Sequence, residues 1–152
     1  MQVSALRAAH EHRWLSKSFR MCWYRSMLNH PHLLIAEDEN LTATALAEFL
    51  EAEGYRVTLT QNGVQALEVD EKDPAAILLT DMRMPVMGGE ALIRMIRRRN
   101  AELPVIIMTG YSEYIPQEVP GRLIVLRKPY SLSTLVHHVR SLLPRRETTT
   151  DR

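Results

Sequence analysis

The sequence lacks the features that identify disulfide-rich, thiolate-metal and membrane-spanning proteins. Its single cysteine, Cys22, excludes an intrachain disulfide and any metal site built from several thiolates. No apolar run approaches the ~18 residues of a membrane span, and the amino terminus has no uninterrupted apolar block of the kind found in signal peptides. We therefore expect a cytoplasmic protein without a membrane span.

The chain also lacks a strong net charge. Its formal net charge is +1 over 152 residues, but residues 1–30 carry five basic residues and one acidic residue, whereas the remainder carries 14 basic and 17 acidic residues. A mildly acidic body disfavours nucleic-acid binding, so we expect no nucleic-acid partner. With 45% hydrophobic residues, the length suits one domain with a core of its own.

Short apolar runs alternate with amphipathic segments from about residue 32 onward. The runs predict five strands: HLLIA (32–36), VTLT (57–60), AAILLT (75–80), PVIIMT (104–109) and RLIVL (122–126). Four of them are almost continuously apolar, which is typical of a parallel sheet covered on both faces. Helical spacing predicts helices at 41–53, between Asn62 and Pro74, at 89–99 and after Ser131. This order predicts an α/β fold with a doubly wound five-stranded parallel sheet.

The ends of the chain fall outside this alternation. We expect residues 1–30 to be a basic extension, residues 31–144 a single domain, and residues 145–152 a polar tail. The extension could be a mobile amphipathic arm at an anionic surface. The alternative that we favour is that translation starts at Met27. We expect the predicted domain to act without an attached output domain.

Polar side chains follow four of the predicted strands. Glu37 and Asp38 follow the first strand, Asp81 the third, Thr109 ends the fourth, and Lys128 follows the fifth. In a doubly wound sheet the carboxyl ends of the strands form one edge, which is where ligands bind. We therefore expect these side chains to converge.

Converging carboxylates require a counter-charge. At ~5 Å and an effective dielectric constant of ~20, two carboxylates repel by ~3 kcal/mol, and a divalent cation such as Mg²⁺ would remove that repulsion. Asp81 could then act as both metal ligand and nucleophile toward a phosphoryl group. Lys128 and Thr109 could stabilise the charge on the phosphoryl oxygens.

Four motifs in order carry a family resemblance: AED (36–38), LLTDMRMPVMGG (78–89), IIMTGY (106–111) and LRKPY (126–130). Over roughly residues 32–143 the chain resembles the receiver (CheY-like) domain of bacterial two-component response regulators. The resemblance implies a flavodoxin-like fold with strand order 2-1-3-4-5. It also implies a phosphoacceptor without classical enzyme activity, whose partners are a sensor histidine kinase or histidine phosphotransfer protein and an unknown downstream protein.

The resemblance also implies residue roles. Asp81 would accept the phosphoryl group, Thr109 would hydrogen-bond it, and Lys128 would pair with it. Asp38 would bind Mg²⁺ directly, Glu37 would act through water, and the backbone carbonyl of Arg83 would be a further ligand. The Lys128–Pro129 peptide bond would be cis.

Two features depart from the family pattern. Val125 occupies the position three residues before Lys128 where the family usually has a switch aromatic. The segment 111–121 contains Pro116 and Pro120, and an internal proline costs ~3 kcal/mol in a helix, so we expect a short or irregular fourth helix there. Tyr111 could cover the phosphoryl group.

Several alternatives remain open. The chain could be the receiver fragment of a hybrid histidine kinase or phosphorelay protein. It could be a Mg²⁺-dependent phosphohydrolase, although such enzymes usually place a second Asp where this chain has Arg83. It could also be a docking module that works without phosphorylation. Glu37 and Asp38 alone could simply favour the start of a helix.

Overall fold

The computed structural model of the chain describes residues 30–110 and 116–143. The predicted extension before His30, the polar tail and Tyr111 lie outside the described residues. The described residues form, in chain order, β1 (His32–Ala36), α1 (Asn40–Ala52), β2 (Arg56–Thr60), α2 (Gly63–Lys72), β3 (Ile77–Asp81), α3 (Gly89–Arg99), β4 (Val105–Thr109), β5 (Leu123–Arg127) and α4 (Leu132–Leu142).

The five strands form one parallel sheet in the order β2-β1-β3-β4-β5. The predicted fold class and strand order are confirmed. Within the sheet, Ala36 at the end of β1 lies opposite Thr80 of β3. Glu37 and Asp81 therefore come next along two neighbouring strands, at the same edge.

Helices cover both faces of the sheet, and β1, β3, β4 and β5 supply residues to both layers of the core. Leu33 and Ile35 pack in one buried cluster with α1 and α4, whereas Leu34 and Ala36 pack in a second cluster with α2 and α3. Successive strand side chains point to opposite faces, so burial on both faces requires a continuous apolar run. β2 lies at the edge and leaves Leu59 40% exposed, which accounts for its more polar sequence.

The predicted helix starts are stabilised by side chains. Asn62 accepts a hydrogen bond from the backbone N–H of Gln65 at 3.0 Å, and Ser131 accepts one from Thr134 at 3.1 Å. Such caps satisfy N–H groups that the first turn of a helix leaves unpaired. None of the described helices is both long enough and apolar enough to cross a membrane.

Residues 116–121 contain no helix. This agrees with the expectation that the segment containing Pro116 and Pro120 forms a helix poorly, and residues 111–115 lie outside the described residues. Val119 instead pairs antiparallel with Leu123 at the start of β5. The covering of β5 by this segment was not predicted from the sequence.

Candidate functional site

Three carboxylates meet at the carboxyl edge of the sheet. Glu37 and Asp38 follow β1, and Asp81 ends β3. Each offers one oxygen, and these oxygens lie within 4.8 Å of one another. The structure therefore brings together acidic side chains that the sequence placed at the ends of two different strands.

Lys128 bridges two of these carboxylates from the end of β5. Its Nζ atom donates to Glu37 Oε2 at 3.0 Å and to Asp81 Oδ2 at 2.9 Å. Burial by itself lowers the pKa of Lys128, but hydrogen bonds and charges from the two carboxylates outweigh burial and hold that pKa well above its usual value. Lys128 is therefore a permanent cation at this edge. The Lys128–Pro129 peptide bond is cis, as predicted.

The carboxylates differ in exposure and in their contacts. Glu37 is 1% exposed, and its second oxygen accepts a hydrogen bond from the backbone N–H of Glu39 at 3.1 Å. Asp38 is exposed, and the Asp81 side chain is 14% exposed. Glu37 is thus fixed from two sides, whereas Asp38 keeps the cluster open to water.

The cluster has an excess of negative charge. Three carboxylates and one ammonium group leave a net charge of −2. At 4.8 Å, each carboxylate pair repels by ~3 kcal/mol at an effective dielectric constant of ~20. Mg²⁺ prefers hard oxygen ligands and keeps several waters, and both conditions suit a carboxylate cluster with one exposed member. The residues therefore fit a magnesium ion in charge and in ligand type.

Arg83 and Thr109 contact Asp81 and Lys128 through backbone groups. The backbone N–H of Arg83 donates to Asp81 Oδ1 at 3.2 Å, and the Arg83 side chain is exposed. Thr109 ends β4, is 2% exposed, and accepts a hydrogen bond from the backbone N–H of Lys128 at 2.8 Å. The loop after β3 and the end of β4 thus flank Asp81 and Lys128.

Two glycines allow α3 to begin against the backbone of the site. A Cβ atom on Gly89 would lie 2.3 Å from the carbonyl oxygen of Asp81, and one on Gly88 would lie 2.7 Å from that of Met82. The backbone N–H of Gly89 donates to that Met82 oxygen at 3.1 Å. Any larger residue at Gly89 would displace the peptide unit that carries Asp81.

Tyr130 was not assigned a role from the sequence. Its hydroxyl donates to Met108 Sδ at 3.3 Å, and burial raises its pKa, with the nearby charges of Lys128, Glu37 and Asp81 contributing smaller effects of mixed sign. The position of Tyr130 directly after Lys128 and Pro129 is the feature of the sequence that could have indicated a place near the site.

Three consecutive arginines end α3. Arg97, Arg98 and Arg99 lie in its last turn, where positive charge is favoured by the helix dipole. Two of them also bind backbone carbonyls of other elements: Arg97 donates to Arg122 at 3.2 Å and Arg99 donates to Leu67 at 3.3 Å. These arginines join α3 to its neighbours, in addition to any effect on the helix end.

Comparison with known proteins places this geometry in a family. The model of the response regulator receiver domain matches residues 33–140. The response regulator receiver protein CpdR of Brucella abortus is 34% identical over 73% of this chain and 95% of its own length. The uncharacterized transcriptional regulatory protein YkoG of Bacillus subtilis is 32% identical over 79% of this chain, but the match spans only 54% of YkoG.

A solved structure agrees with both comparisons. The crystal structure of a response regulator receiver protein from Sinorhizobium medicae has a TM-score of 0.68 and 26% identity, covering 76% of this chain and 95% of that one. The family model covers well over half of the chain, and CpdR matches over almost its full length. The chain therefore belongs to the response regulator receiver domain family.

Proposed function

We propose that the chain is a cytoplasmic single-domain response regulator that accepts a phosphoryl group on Asp81. Receiver domains serve signalling as phosphoacceptors that interact with histidine kinases or phosphotransfer proteins, and they are generally not classical enzymes. The observation that supports the proposal most directly is the position of Asp81. Its carboxylate accepts a hydrogen bond from the ammonium group of Lys128 and lies within 4.8 Å of carboxylate oxygens of Glu37 and Asp38.

The same cluster is the proposed magnesium site. Glu37, Asp38, Asp81 and the backbone carbonyl of Arg83 would hold the ion. When bound, Mg²⁺ would supply positive charge beside the oxygens of a transferring phosphoryl group. The exposed side of Asp38 leaves room for water and for the incoming phosphoryl group.

Asp81 would take the phosphoryl group from a phosphohistidine of a kinase or phosphotransfer protein. An O–P bond forms to an Asp81 carboxylate oxygen while the N–P bond of the donor breaks, and the electron pair of that bond returns to the imidazole nitrogen. A carboxylate is a weak nucleophile, but phosphoryl transfer depends mainly on positioning and charge stabilisation. The Lys128 ammonium and the Thr109 hydroxyl would bind the phosphoryl oxygens.

A second possibility is that the chain represents the receiver part of a longer regulator or hybrid kinase. It is favoured by the match to YkoG, of which the chain spans about half. The almost complete coverage of CpdR favours the single-domain form. Both forms use the same chemistry at Asp81, and they differ in how the signal leaves the domain.

Incubation with acetyl phosphate and Mg²⁺, followed by intact mass spectrometry, tests the phosphoacceptor. We expect the mass of one phosphoryl group to be added, to be removed by hydroxylamine, and to be absent in Asp81→Asn or when Mg²⁺ is chelated. Glu48→Gln removes an exposed carboxylate on α1 and should react normally.

Three results would contradict the proposal. A hydroxylamine-resistant phosphate would place the modification on a hydroxyl group. Multiple turnover of small phosphomonoesters would favour a phosphohydrolase. A downstream partner that binds Asp81→Ala as tightly as the phosphorylated protein would favour a docking module.

A further inference from the structure

The start of α2 combines two structural requirements in neighbouring residues. Asn62 is the N-cap of the helix, and its Oδ1 atom accepts a hydrogen bond from the backbone N–H of Gln65 at 3.0 Å. Gly63 is buried in the first turn, and a Cβ atom there would lie 2.6 Å from Cγ of Met87. The cap favours a side-chain acceptor such as that of asparagine, and the packing of Met87 requires glycine at the next position.

An asparagine that precedes a glycine can modify itself. The backbone nitrogen of Gly63 can attack Cγ of Asn62, because glycine has no side chain to hinder the approach. A bond forms between that nitrogen and Cγ, the bond between Cγ and Nδ2 breaks, and the Gly63 amide proton leaves with Nδ2 as ammonia. Water then opens the cyclic imide at either of its carbonyl carbons, which gives aspartate or isoaspartate. Of the four asparagines in the chain, Asn62 alone precedes a glycine.

The folded structure restrains both reacting groups. The Gly63 N–H donates to the backbone carbonyl of Met87 at 2.9 Å, and this hydrogen bond must break before the nitrogen can lose its proton and attack. The cap hydrogen bond to Gln65 restricts rotation of the Asn62 side chain. The reaction therefore requires local opening of the contact between the start of α2 and the segment that connects β3 to α3, to which Met87 belongs.

We propose that Asn62 is a site of spontaneous deamidation, controlled by the contact between Gly63 and Met87. Its two products differ in their effect on the fold. Aspartate keeps a side-chain acceptor at the N-cap. Isoaspartate instead adds a carbon atom to the main chain before Gly63, which displaces the Gly63 N–H from the Met87 carbonyl. Residues 82–88 connect Asp81 to α3, so the isoaspartate product would disturb the segment that follows Asp81.

Incubation of the full chain at mildly alkaline pH, followed by peptide mapping that separates aspartate from isoaspartate, tests the site. In the chain unfolded by urea, Asn62 should react well before Asn40 and Asn100, which precede Leu41 and Ala101. In the folded protein it should react at least about tenfold more slowly, the factor expected when one hydrogen bond of ordinary net strength must open first. An unreactive Asn62 in the unfolded chain would overturn the site, and equal rates in both states would overturn its control by the fold.

Two methionine variants, each verified as folded by circular dichroism, test the contact itself. Met87→Ala removes the side chain that packs against Gly63 and should speed the reaction of Asn62 in the folded protein toward the unfolded rate. Met95→Ala changes an exposed methionine of α3 and should leave the rate unchanged. Equal rates in the two variants would contradict control by Met87. Asn62→Ser keeps a cap oxygen and should abolish the modification at this position.

The effect of the product on Asp81 rests on the proposed function. The isoaspartate form, purified by ion exchange, should take up the phosphoryl group of acetyl phosphate more slowly than the native chain, whereas Asn62→Asp should react at nearly the native rate. Equal rates for the isoaspartate form and the native chain would overturn the link to Asp81. A native chain that takes up no phosphoryl group would overturn the proposed function, whereas the deamidation measurements would still decide the modification site.

Discussion

The two edges of the sheet differ in their balance of charge. At the carboxyl edge, the cluster of Glu37, Asp38, Asp81 and Lys128 has a net charge of −2, and Lys128 pairs with two of the three carboxylates. At the amino edge, Arg56 forms a two-pronged ion pair with Asp73, and the neighbouring His32 is buried. The charges there balance within the protein. The unbalanced edge fits the proposed cation, whereas the balanced edge contributes to stability by itself.

The contacts of His32 show that its polar groups at the amino edge have hydrogen-bond partners. Its Nδ1 atom lies 3.3 Å from the carbonyl oxygen of Pro74, which can only accept a hydrogen bond, so Nδ1 carries the proton. Its Nε2 atom then accepts from the Thr58 hydroxyl at 2.8 Å. The neutral ring therefore satisfies both of its nitrogens, and joins β1 to β2 and to the segment that precedes β3.

Replacing Lys128 should have the largest effect on stability. Lys128→Met leaves the buried Glu37 carboxylate beside Asp81 with no ammonium partner, and breaking such a pair typically costs about 3 kcal/mol or more. We expect a decrease of about 3 kcal/mol in the free energy of unfolding, measured in urea with Mg²⁺ chelated. Millimolar Mg²⁺ should restore part of the loss, because a ligand that binds only the folded state stabilises it.

Lys72→Met provides the matched control. Lys72 is an exposed residue in the last turn of α2, and its replacement should change stability by less than about 0.5 kcal/mol. Equal losses in both variants would show that Lys128 is not compensating the carboxylate cluster. A loss in Lys128→Met that Mg²⁺ does not reduce would argue against a cation site at this edge.

Replacing His32 should have a smaller effect that does not depend on Mg²⁺. His32→Ala leaves a cavity and removes the partner of the Thr58 hydroxyl, so we expect a loss of about 2 kcal/mol in the free energy of unfolding. The exposed His30 bonds the carbonyl of Gly54, and His30→Ala should cost much less. Because this edge lies at the opposite ends of the strands, phosphorylation of folded His32→Ala should proceed normally. A Mg²⁺-dependent stability loss in His32→Ala would contradict the separation of the two edges.

The fold and the candidate site were predictable to different extents. Continuous apolar runs such as ILL in β3 indicated strands buried on both faces, and the caps Asn62 and Ser131 marked helix starts. These signals are local, because each one lies within a short segment of the sequence. The convergence of Asp81 with Lys128 followed from the rule that parallel strands end at one edge.

Contacts that depend on side-chain length and direction could not be predicted in this way. Nothing local to Glu118 indicates that its carboxylate reaches the N–H of Val125. The ion pair of Arg56 with Asp73 joins residues 17 positions apart, and either residue alone is an ordinary surface charge. Such contacts depend on the tertiary structure, and the periodicity of apolar residues in the sequence does not predict them.

The smallest expected effect is a pH dependence that arises at the amino edge. Burial, and secondarily the charge of Arg56, lowers the pKa of His32 below its usual 6.5, although Asp73 and the Pro74 carbonyl partly oppose this. As the pH falls through about 6.5, the unfolded chain therefore takes up a proton that the folded chain does not. The free energy of unfolding should decrease across this range, by at most about 1.4 kcal/mol per pH unit for one proton, until the folded His32 also titrates.

Urea unfolding between pH 7.5 and 5.5 measures this dependence. The decrease should be smaller in His32→Gln, which has no titrating group at this position. Asp73 contributes in a separate and lower range, because the hydrogen bond from Arg56 lowers its pKa below the usual 3.8, and its contribution is lost only as the pH falls through that lowered value. An identical pH dependence in the native chain and His32→Gln would assign the effect to other groups, and would contradict a contribution of neutral His32 to stability at the amino edge.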